Sequence, residues 1–202
     1  HYVAPTVWAW RPGRAAKMAP HVDQVLALLP FEPPFMEAAG MRCDFVGHPV
    51  VSEPVAGPEA VRAFRDSHGI GDAPLALLLP GSRRGEVARL GPVFGEVARR
   101  VHASRPGLRF VIPAAPAVAG TVAELAAGWP GDPVVLDPRR LGAGALDTKR
   151  AAFGAADVAL AASGTVSLEL AAAATPMVIA YKLDFLTEMW VRAIFTIRYA
   201  AL

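Results

Sequence analysis

Residues 75–87, LALLLPGSRRGEV, constrain the fold of this chain more than any other stretch. The first five residues form an uninterrupted apolar run, which is typical of a strand buried on both faces. Pro80 and Gly81 break the run, and apolar residues then recur at spacings of three and four, which indicates one face of a helix. A strand buried on both faces needs a helix layer above and below it. The stretch therefore predicts an open α/β sheet.

The turn inside this stretch is also the first candidate for a binding site. Gly81, Ser82 and Arg83 would join the carboxyl end of the strand to the start of the helix, where open α/β sheets bind ligands. Free backbone N–H groups and the helix dipole favour an anion there. Gly81 lets a ligand approach, Ser82 can cap the helix, and Arg83 can donate two hydrogen bonds to phosphate oxygens. A capped turn with two solvated arginines fits this stretch equally well.

The rest of the chain shows the same alternation of strands and helices. Two strands at 22–29 and 43–46 flank a short helix that starts at Pro33 and ends at Gly40. Helices are predicted at 59–68, 86–103, 118–127, 148–155 and 164–173, and strands at 75–79, 108–112, 134–136, 158–161 and 177–181. Strands that alternate with helices across short Gly/Pro turns indicate a parallel sheet covered on both faces.

A domain boundary is predicted in the segment rich in Pro, Gly and small residues between positions 49 and 57. The chain is accordingly expected to contain two domains, 1–52 and 53–202. The second domain is long enough for a five-stranded sheet, whereas the first holds only two predicted strands.

A second strand end repeats the pattern of the first. Ser163, Gly164 and Thr165 follow the strand at 158–161, with Ser163 as the predicted N-cap of the next helix. Glu169 lies four residues after Thr165, so both project from one helical face, ~6 Å apart along the axis. This spacing suits a sugar beside a phosphate, with Glu169 accepting hydrogen bonds from ribose hydroxyls. For Glu169 alone, a solvated helix position is the simpler interpretation.

Other functional classes find little support in the sequence. No Gly-x-Gly-x-x-Gly motif follows a strand, no Walker lysine motif occurs, and Gly142 and Gly144 lack a third glycine, which disfavours dinucleotide binding and P-loop chemistry. The net charge is +2 and the basic residues are scattered, which disfavours nucleic acid. Cys43 is the single cysteine, so no internal disulfide forms, which fits a reducing compartment.

Two further segments are rich in aromatic or apolar residues. Trp8 and Trp10 near the start are interpreted as core packing. Residues 184–197 predict a helix with an apolar stripe flanked by Arg192 and Arg198. This stripe would pack on the protein or lie on a membrane surface. The stripe consists of Leu186, Met189, Trp190, Ala193, Ile194 and Ile197.

Five motifs together resemble the lipid-A-disaccharide synthase family. They are HYVAPTVWAWR from His1, VGHP from Val46, LLPGSRRGEV from Leu78, AASGTVSLE from Ala161 and TPMVIAYK from Thr175, and they follow the family's order and spacing. The resemblance implies a GT-B glycosyltransferase, with two Rossmann-like domains of which residues 53–202 would bind the UDP-sugar donor and residues 1–52 would belong to the acceptor side.

The reaction implied by the resemblance transfers 2,3-diacylglucosamine from UDP-2,3-diacylglucosamine to 2,3-diacylglucosamine 1-phosphate. It releases UDP and gives a β-1,6-linked disaccharide, with no metal or other cofactor. Members of the family are expected in the cytoplasm, in peripheral contact with inner-membrane lipid. The alternatives are another GT-B enzyme, such as a UDP-sugar epimerase or the peptidoglycan glucosaminyltransferase, and a non-catalytic UDP-sugar-binding module.

By position, the donor-binding residues implied are Gly81, Ser82, Arg83, Ser163, Gly164, Thr165 and Glu169, and Glu86 matches the acid that follows the Gly-Ser-Arg motif. The general base of the family is expected upstream of His1, and the family pattern continues beyond Leu202. The sequence is therefore interpreted as a fragment that by itself binds UDP without completing the transfer.

Overall fold

A computed structural model describes residues 1–8 and 11–182, which form two compact units, His1–Glu53 and Pro54–Lys182. Trp10 and the predicted helix at 184–197 lie outside the described residues. The first unit contains two short parallel strands and two short helices, with 3₁₀ turns at Ala19–His21 and Pro49–Ser52. In chain order these are α1 (Gly13–Met18), β1 (Gln24–Ala27), α2 (Pro33–Glu37) and β2 (Arg42–Phe45).

The first unit is built around the buried faces of β1 and β2. Val25 and Ala27 are fully buried and Cys43 is nearly so. The Glu32 carboxylate is also buried, and it accepts hydrogen bonds from the backbone N–H groups of Leu28 at 3.0 Å and Leu29 at 2.8 Å. Those contacts satisfy two N–H groups at the end of β1 that would otherwise be costly to bury.

The second unit is a five-stranded parallel sheet in the order β5-β4-β3-β6-β7. Its strands are β3 (Leu75–Leu79), β4 (Arg109–Pro113), β5 (Val134–Leu136), β6 (Val158–Ala162) and β7 (Met177–Ala180). Its helices are α3 (Pro58–Ser67), α4 (Arg84–Ser104), α5 (Ala119–Ala126), α6 (Pro138–Leu141), α7 (Ala145–Ala155) and α8 (Val166–Ala172).

The buried strand β3 divides the core of this unit into two layers. Leu75, Leu77 and Leu79 pack in one cluster with residues of α3, α7 and α8. Ala76 and Leu78 pack in the other cluster with residues of α4 and α5. Side chains alternate across a strand, so an all-apolar strand supplies both layers at once. This arrangement explains why no polar residue interrupts LALLL.

The strand order places the two predicted binding turns side by side. From β3 the chain runs outward through β4 and β5, and then returns to β6 on the other side of β3. Leu79 pairs with Ala161 near the carboxyl ends of β3 and β6. The turn at Gly81 and the turn at Ser163 therefore leave the same edge of the sheet, where the direction of strand addition reverses. Ligands of open α/β sheets bind at such a position.

The predicted α/β fold with a parallel sheet is confirmed, and the predicted strands and longer helices are present to within a few residues. The short helices α1 and α6 and the 3₁₀ turn Gly142–Gly144 were not predicted, because a single turn carries no apolar periodicity. The predicted helix at 164–173 begins later, at Val166. Within the described residues no helix has the length and apolarity that a membrane crossing requires.

Candidate functional site

A cavity of about 590 Å³ opens at the carboxyl ends of β3, β4, β5 and β6, in the second unit. Both predicted turns contribute to its wall, as do Ala114 after β4 and Leu136 at the end of β5. Every donor-binding residue predicted from the sequence lines this cavity: Gly81, Ser82, Arg83, Ser163, Gly164, Thr165 and Glu169. Residues up to 88 positions apart in the chain thus share one wall because the fold makes β3 and β6 neighbours.

The turn after β3 requires glycine at position 81. Gly81 has φ +126°, a backbone conformation that residues with a Cβ rarely adopt. The side chain of Glu86 also lies directly over Gly81, so a Cβ there would overlap the carboxylate. Gly81 is therefore fixed by both the backbone conformation and the close approach of Glu86.

The prediction that Ser82 caps the helix is wrong. Helix α4 begins at Arg84, and its N-cap residue is Arg83, which has extended backbone and makes no side-chain capping hydrogen bond. The Glu86 carboxylate instead turns back and accepts a hydrogen bond from the Ser82 N–H at 2.9 Å. An acid in the first turn of a helix commonly reaches back in this way. One backbone N–H of the predicted anion-binding turn, that of Ser82, therefore already binds the chain's own carboxylate.

Arg83 and Glu86 give this wall of the cavity one positive and one negative group. The Arg83 side chain is exposed, and the structure records no ion pair between it and another described residue. Arg84, the adjacent arginine, is exposed as well but does not line the cavity. Of the two arginines, Arg83 is the one placed to reach a ligand.

The turn after β6 differs from its prediction in a similar way. Ser163 was predicted as an N-cap, but its N–H donates to the Ala180 carbonyl at 3.0 Å and so continues the pairing with β7. The helix starts two residues later, with Thr165 as an N-cap residue that makes no side-chain capping bond. The Ser167 hydroxyl donates to the Gly164 carbonyl at 2.7 Å and tightens the turn. The N-cap prediction for Ser163 is therefore wrong, although Ser163 does line the cavity.

Glu169 is not a solvated helix residue. Its carboxylate forms an ion pair with the ammonium group of Lys149, and the two side chains are 29% and 34% exposed. Lys149 also lines the cavity, and its Nζ lies 5.3 Å from the centroid of the Phe153 ring. Sequence reasoning did not identify Lys149, because a lysine in the middle of a helix has no local feature that separates it from a solvated one.

The remaining wall of the cavity is mostly apolar. It is formed by residues after β4 and β5 and at the start of α7: Pro113, Ala114, Ala115, Pro116, Leu136, Pro138, Leu141, Ala145 and Leu146. Asp137 starts α6 by accepting a hydrogen bond from the Arg139 N–H at 3.0 Å. The side-chain hydrogen bond from Arg139 lowers the pKa of Asp137 below its ordinary value. Among the described residues, no group of three or more His, Cys, Asp or Glu side chains is arranged to hold a metal ion.

Two solved structures share the fold of this chain. A protein described as a UDP-N-acetylglucosamine 2-epimerase from Listeria monocytogenes superposes with a TM-score of 0.58 at 16% identity, covering 82% of this chain and 44% of that one. Alr3699/HepE from Anabaena, solved in complex with UDP and glucose, has a TM-score of 0.50 at 13% identity, covering 89% of this chain and 51% of that one. At these identities the likeness establishes the GT-B type of fold alone.

Sequence comparison is far more specific. Lipid-A-disaccharide synthase from Ruegeria pomeroyi is 63% identical over 189 residues, which are 93% of this chain and 47% of the relative. The synthase from Rhodospirillum centenum is 54% identical over 131 residues, which are 64% of this chain and 32% of the relative. The chain thus spans less than half the length of these relatives. The sequence model described as Lipid-A-disaccharide synthetase matches residues 1–202 from end to end, and the chain belongs to this family.

Proposed function

We propose that this chain supplies the donor-binding half of a glycosyltransferase that makes the lipid A disaccharide. The donor would be UDP-2,3-diacylglucosamine, the acceptor 2,3-diacylglucosamine 1-phosphate, and the products the disaccharide 1-phosphate and UDP. One observation carries the proposal. The residues that the family motifs assign to the donor line a single cavity at the position where open α/β sheets bind ligands.

The diphosphate would bind at the turn after β3. Arg83 offers a planar guanidinium that can contact two phosphate oxygens, which suits a leaving group that gains negative charge. The Glu86 carboxylate would have to leave the Ser82 N–H for a phosphate to bind there. Two unit charges 4 Å apart repel by roughly 4 kcal/mol at the effective dielectric near a protein surface, so both anions cannot share that N–H.

The ribose would bind beside α8. Glu169 offers carboxylate oxygens that accept hydrogen bonds from vicinal hydroxyls, and it lies on the cavity wall one helical turn after Thr165. The apolar wall formed after β4 and β5 would then contact the less polar groups of the donor, outside its diphosphate and ribose.

In the proposed reaction, an acceptor hydroxyl oxygen forms a bond to the anomeric carbon of the donor sugar. The bond from that carbon to the UDP oxygen breaks, UDP leaves with the electron pair, and the hydroxyl proton passes to a base. The two cavity carboxylates are held by other groups, Glu86 by the Ser82 N–H and Glu169 by Lys149. We assign neither carboxylate as the base, and the base is expected in the part of the protein that binds the acceptor.

The two units would divide these tasks. Residues 53–202 are proposed as the donor-binding domain and residues 1–52 as part of the acceptor-side domain. The protein would work in the cytoplasm. Because both substrates carry acyl chains, it would make peripheral contact with inner-membrane lipid.

The test is a transfer assay with the full-length protein that contains this chain. Donor labelled in the sugar and unlabelled acceptor are incubated together, and the products are resolved by thin-layer chromatography. The proposal predicts labelled disaccharide and UDP in equal amounts, with no loss of rate when a chelator is added. Consumption of the donor to an epimeric sugar without disaccharide would replace the proposal with an epimerase. UDP binding without any turnover would replace it with a binding module.

A further inference from the structure

Lys149 and Glu169 form an ion pair on the wall of the cavity. Lys149 projects from α7 and Glu169 from α8, and the two residues are 20 positions apart in the chain. Both side chains are about two-thirds buried, so the pair is partly protected from solvent. A pair at this depth holds its geometry better than a fully exposed pair, whose contribution is usually small.

A second contact fixes the lysine itself. Its Nζ lies 5.3 Å from the centroid of the Phe153 ring, and Phe153 is buried. Lys149 and Phe153 are four residues apart on α7, so they share one face of that helix. An ammonium group within about 6 Å of an aromatic centroid is attracted to the ring. Lys149 is thus held between a buried ring and the Glu169 carboxylate.

The chemistry of the two groups leaves Glu169 able to bind a ligand. A carboxylate has about four sites that accept hydrogen bonds, and one ammonium contact leaves the others open to hydroxyl donors. Lysine has no acceptor site, so Lys149 cannot compete with Glu169 for those hydroxyls. Its positive charge also offsets the negative charge that Glu169 brings into a cavity proposed to receive a diphosphate.

We infer that Lys149 is a positioning residue for the nucleotide: it fixes the Glu169 carboxylate toward the ribose hydroxyls and thereby sets the preference for nucleotides that carry them. This inference rests on the proposed function, because it assumes that UDP binds in this cavity. It goes further by assigning a role to a residue outside the motifs. If Lys149 instead bound the diphosphate directly, its loss would weaken every uridine diphosphate alike, whether or not the sugar has hydroxyls.

The experiment measures binding of UDP and of 2′,3′-dideoxy-UDP by calorimetry to the 202-residue chain. The variants are Lys149→Met, Lys149→Arg, Glu169→Ala and the double change Lys149→Met with Glu169→Ala. Loss of an aligned charged hydrogen bond corresponds to roughly 10-fold in affinity or somewhat more. Lys149→Met should therefore lower the preference for UDP over dideoxy-UDP by about that factor, while the missing positive charge weakens both ligands alike. Lys149→Arg should keep most of the preference for UDP, because it keeps the charge.

The double variant isolates the coupling between the two residues. Once Glu169 is alanine, Lys149→Met should have no further effect on the preference for UDP over dideoxy-UDP. Lys17→Met is the matched control, since Lys17 is an exposed lysine of α1 in the first unit, and it should bind both ligands as the unchanged chain does.

Equal losses for the two ligands in Lys149→Met would overturn the inference. So would effects of the two single changes on the preference for UDP that add in the double variant. The proposed function fails in a different way. If the unchanged chain does not bind UDP at all, the donor-site assignment and the inference fall together. If the chain prefers UDP to dideoxy-UDP and Lys149→Met keeps that preference, the inference alone is wrong.

Discussion

Substitution of Arg83 tests the proposed donor site at the level of a single residue. A hydrogen bond to a charged group contributes about 1.5–3 kcal/mol, so Arg83→Ala should weaken UDP binding by roughly 10- to 100-fold. Arg83→Lys should recover only part of that loss, because an ammonium group cannot present two parallel donors to the phosphate oxygens. Calorimetric titration of UDP into the three proteins measures both effects.

The adjacent arginine provides the control for Arg83. Arg84→Ala removes the same charge one residue along the chain, but Arg84 does not line the cavity. Long-range attraction between the protein and the nucleotide falls equally in both variants, so UDP affinity should change by no more than about threefold in Arg84→Ala. Similar losses in the two variants would mean that net charge, rather than a contact from Arg83, governs binding.

The contact made by Glu86 could not be predicted from the sequence, although the position of the turn could. The sequence placed Gly81, Ser82 and Arg83 correctly at a strand end, because Pro80-Gly81 interrupts an apolar run. It did not indicate that the Glu86 carboxylate would occupy the Ser82 N–H. A serine before a helix and an acid in its first turn are compatible with several capping arrangements. The choice among them depends on the backbone of Arg83, which the pattern of residue types does not fix.

At the scale of the elements, α4 packs closely against the end of α5 through small residues. A Cβ at Gly95 would lie 2.6 Å from Nε1 of Trp129, a ring that is 9% exposed. Gly95→Ala should therefore destabilise the protein by about 1–2 kcal/mol, since the cost of overpacking exceeds the gain of about 1 kcal/mol in helix propensity. Equilibrium unfolding in urea, followed by circular dichroism, gives the difference in free energy.

Gly85 in the same helix gives a matched control of opposite sign. The nearest atom to a Cβ at Gly85 is an arginine nitrogen of Arg89 at 3.7 Å, which is ordinary contact. Gly85→Ala should stabilise the protein by up to about 1 kcal/mol, because alanine restricts the unfolded chain. If Gly95→Ala raises the unfolding midpoint as Gly85→Ala does, the close approach of α4 to Trp129 does not control stability.

Most elements could be predicted because each carries its own pattern. The strand β3 is apolar at all five positions, and α4 repeats apolar residues at helical spacing. The helix α6 spans four residues after Asp137 and has no such pattern, so it was missed. The start of α8 was misplaced by two residues because Ser163 pairs with β7, and strand pairing between distant segments is invisible to local pattern.

At the scale of the whole molecule, topology assembles the site. The alternation of strands and helices predicts a parallel sheet, but not which strands are neighbours. The order β5-β4-β3-β6-β7 brings the turn at Gly81 beside the turn at Ser163, and the fold brings Lys149 onto the same wall. The family motifs supplied the assignment of donor-binding residues, which stays a prediction. Lys149 belongs to no motif and was found only in the folded structure.

The central claim is that UDP binds at the carboxyl edge of the second unit, between the turns after β3 and β6. The most direct measurement is a titration of the isotope-labelled 202-residue chain with UDP, following the backbone amide signals by NMR. The account predicts saturable shifts at Gly81, Ser82, Gly164 and Thr165, with small changes in the first unit, His1–Glu53. If saturating UDP leaves those four signals in place, or shifts signals of the first unit instead, the donor site has been assigned to the wrong part of the molecule.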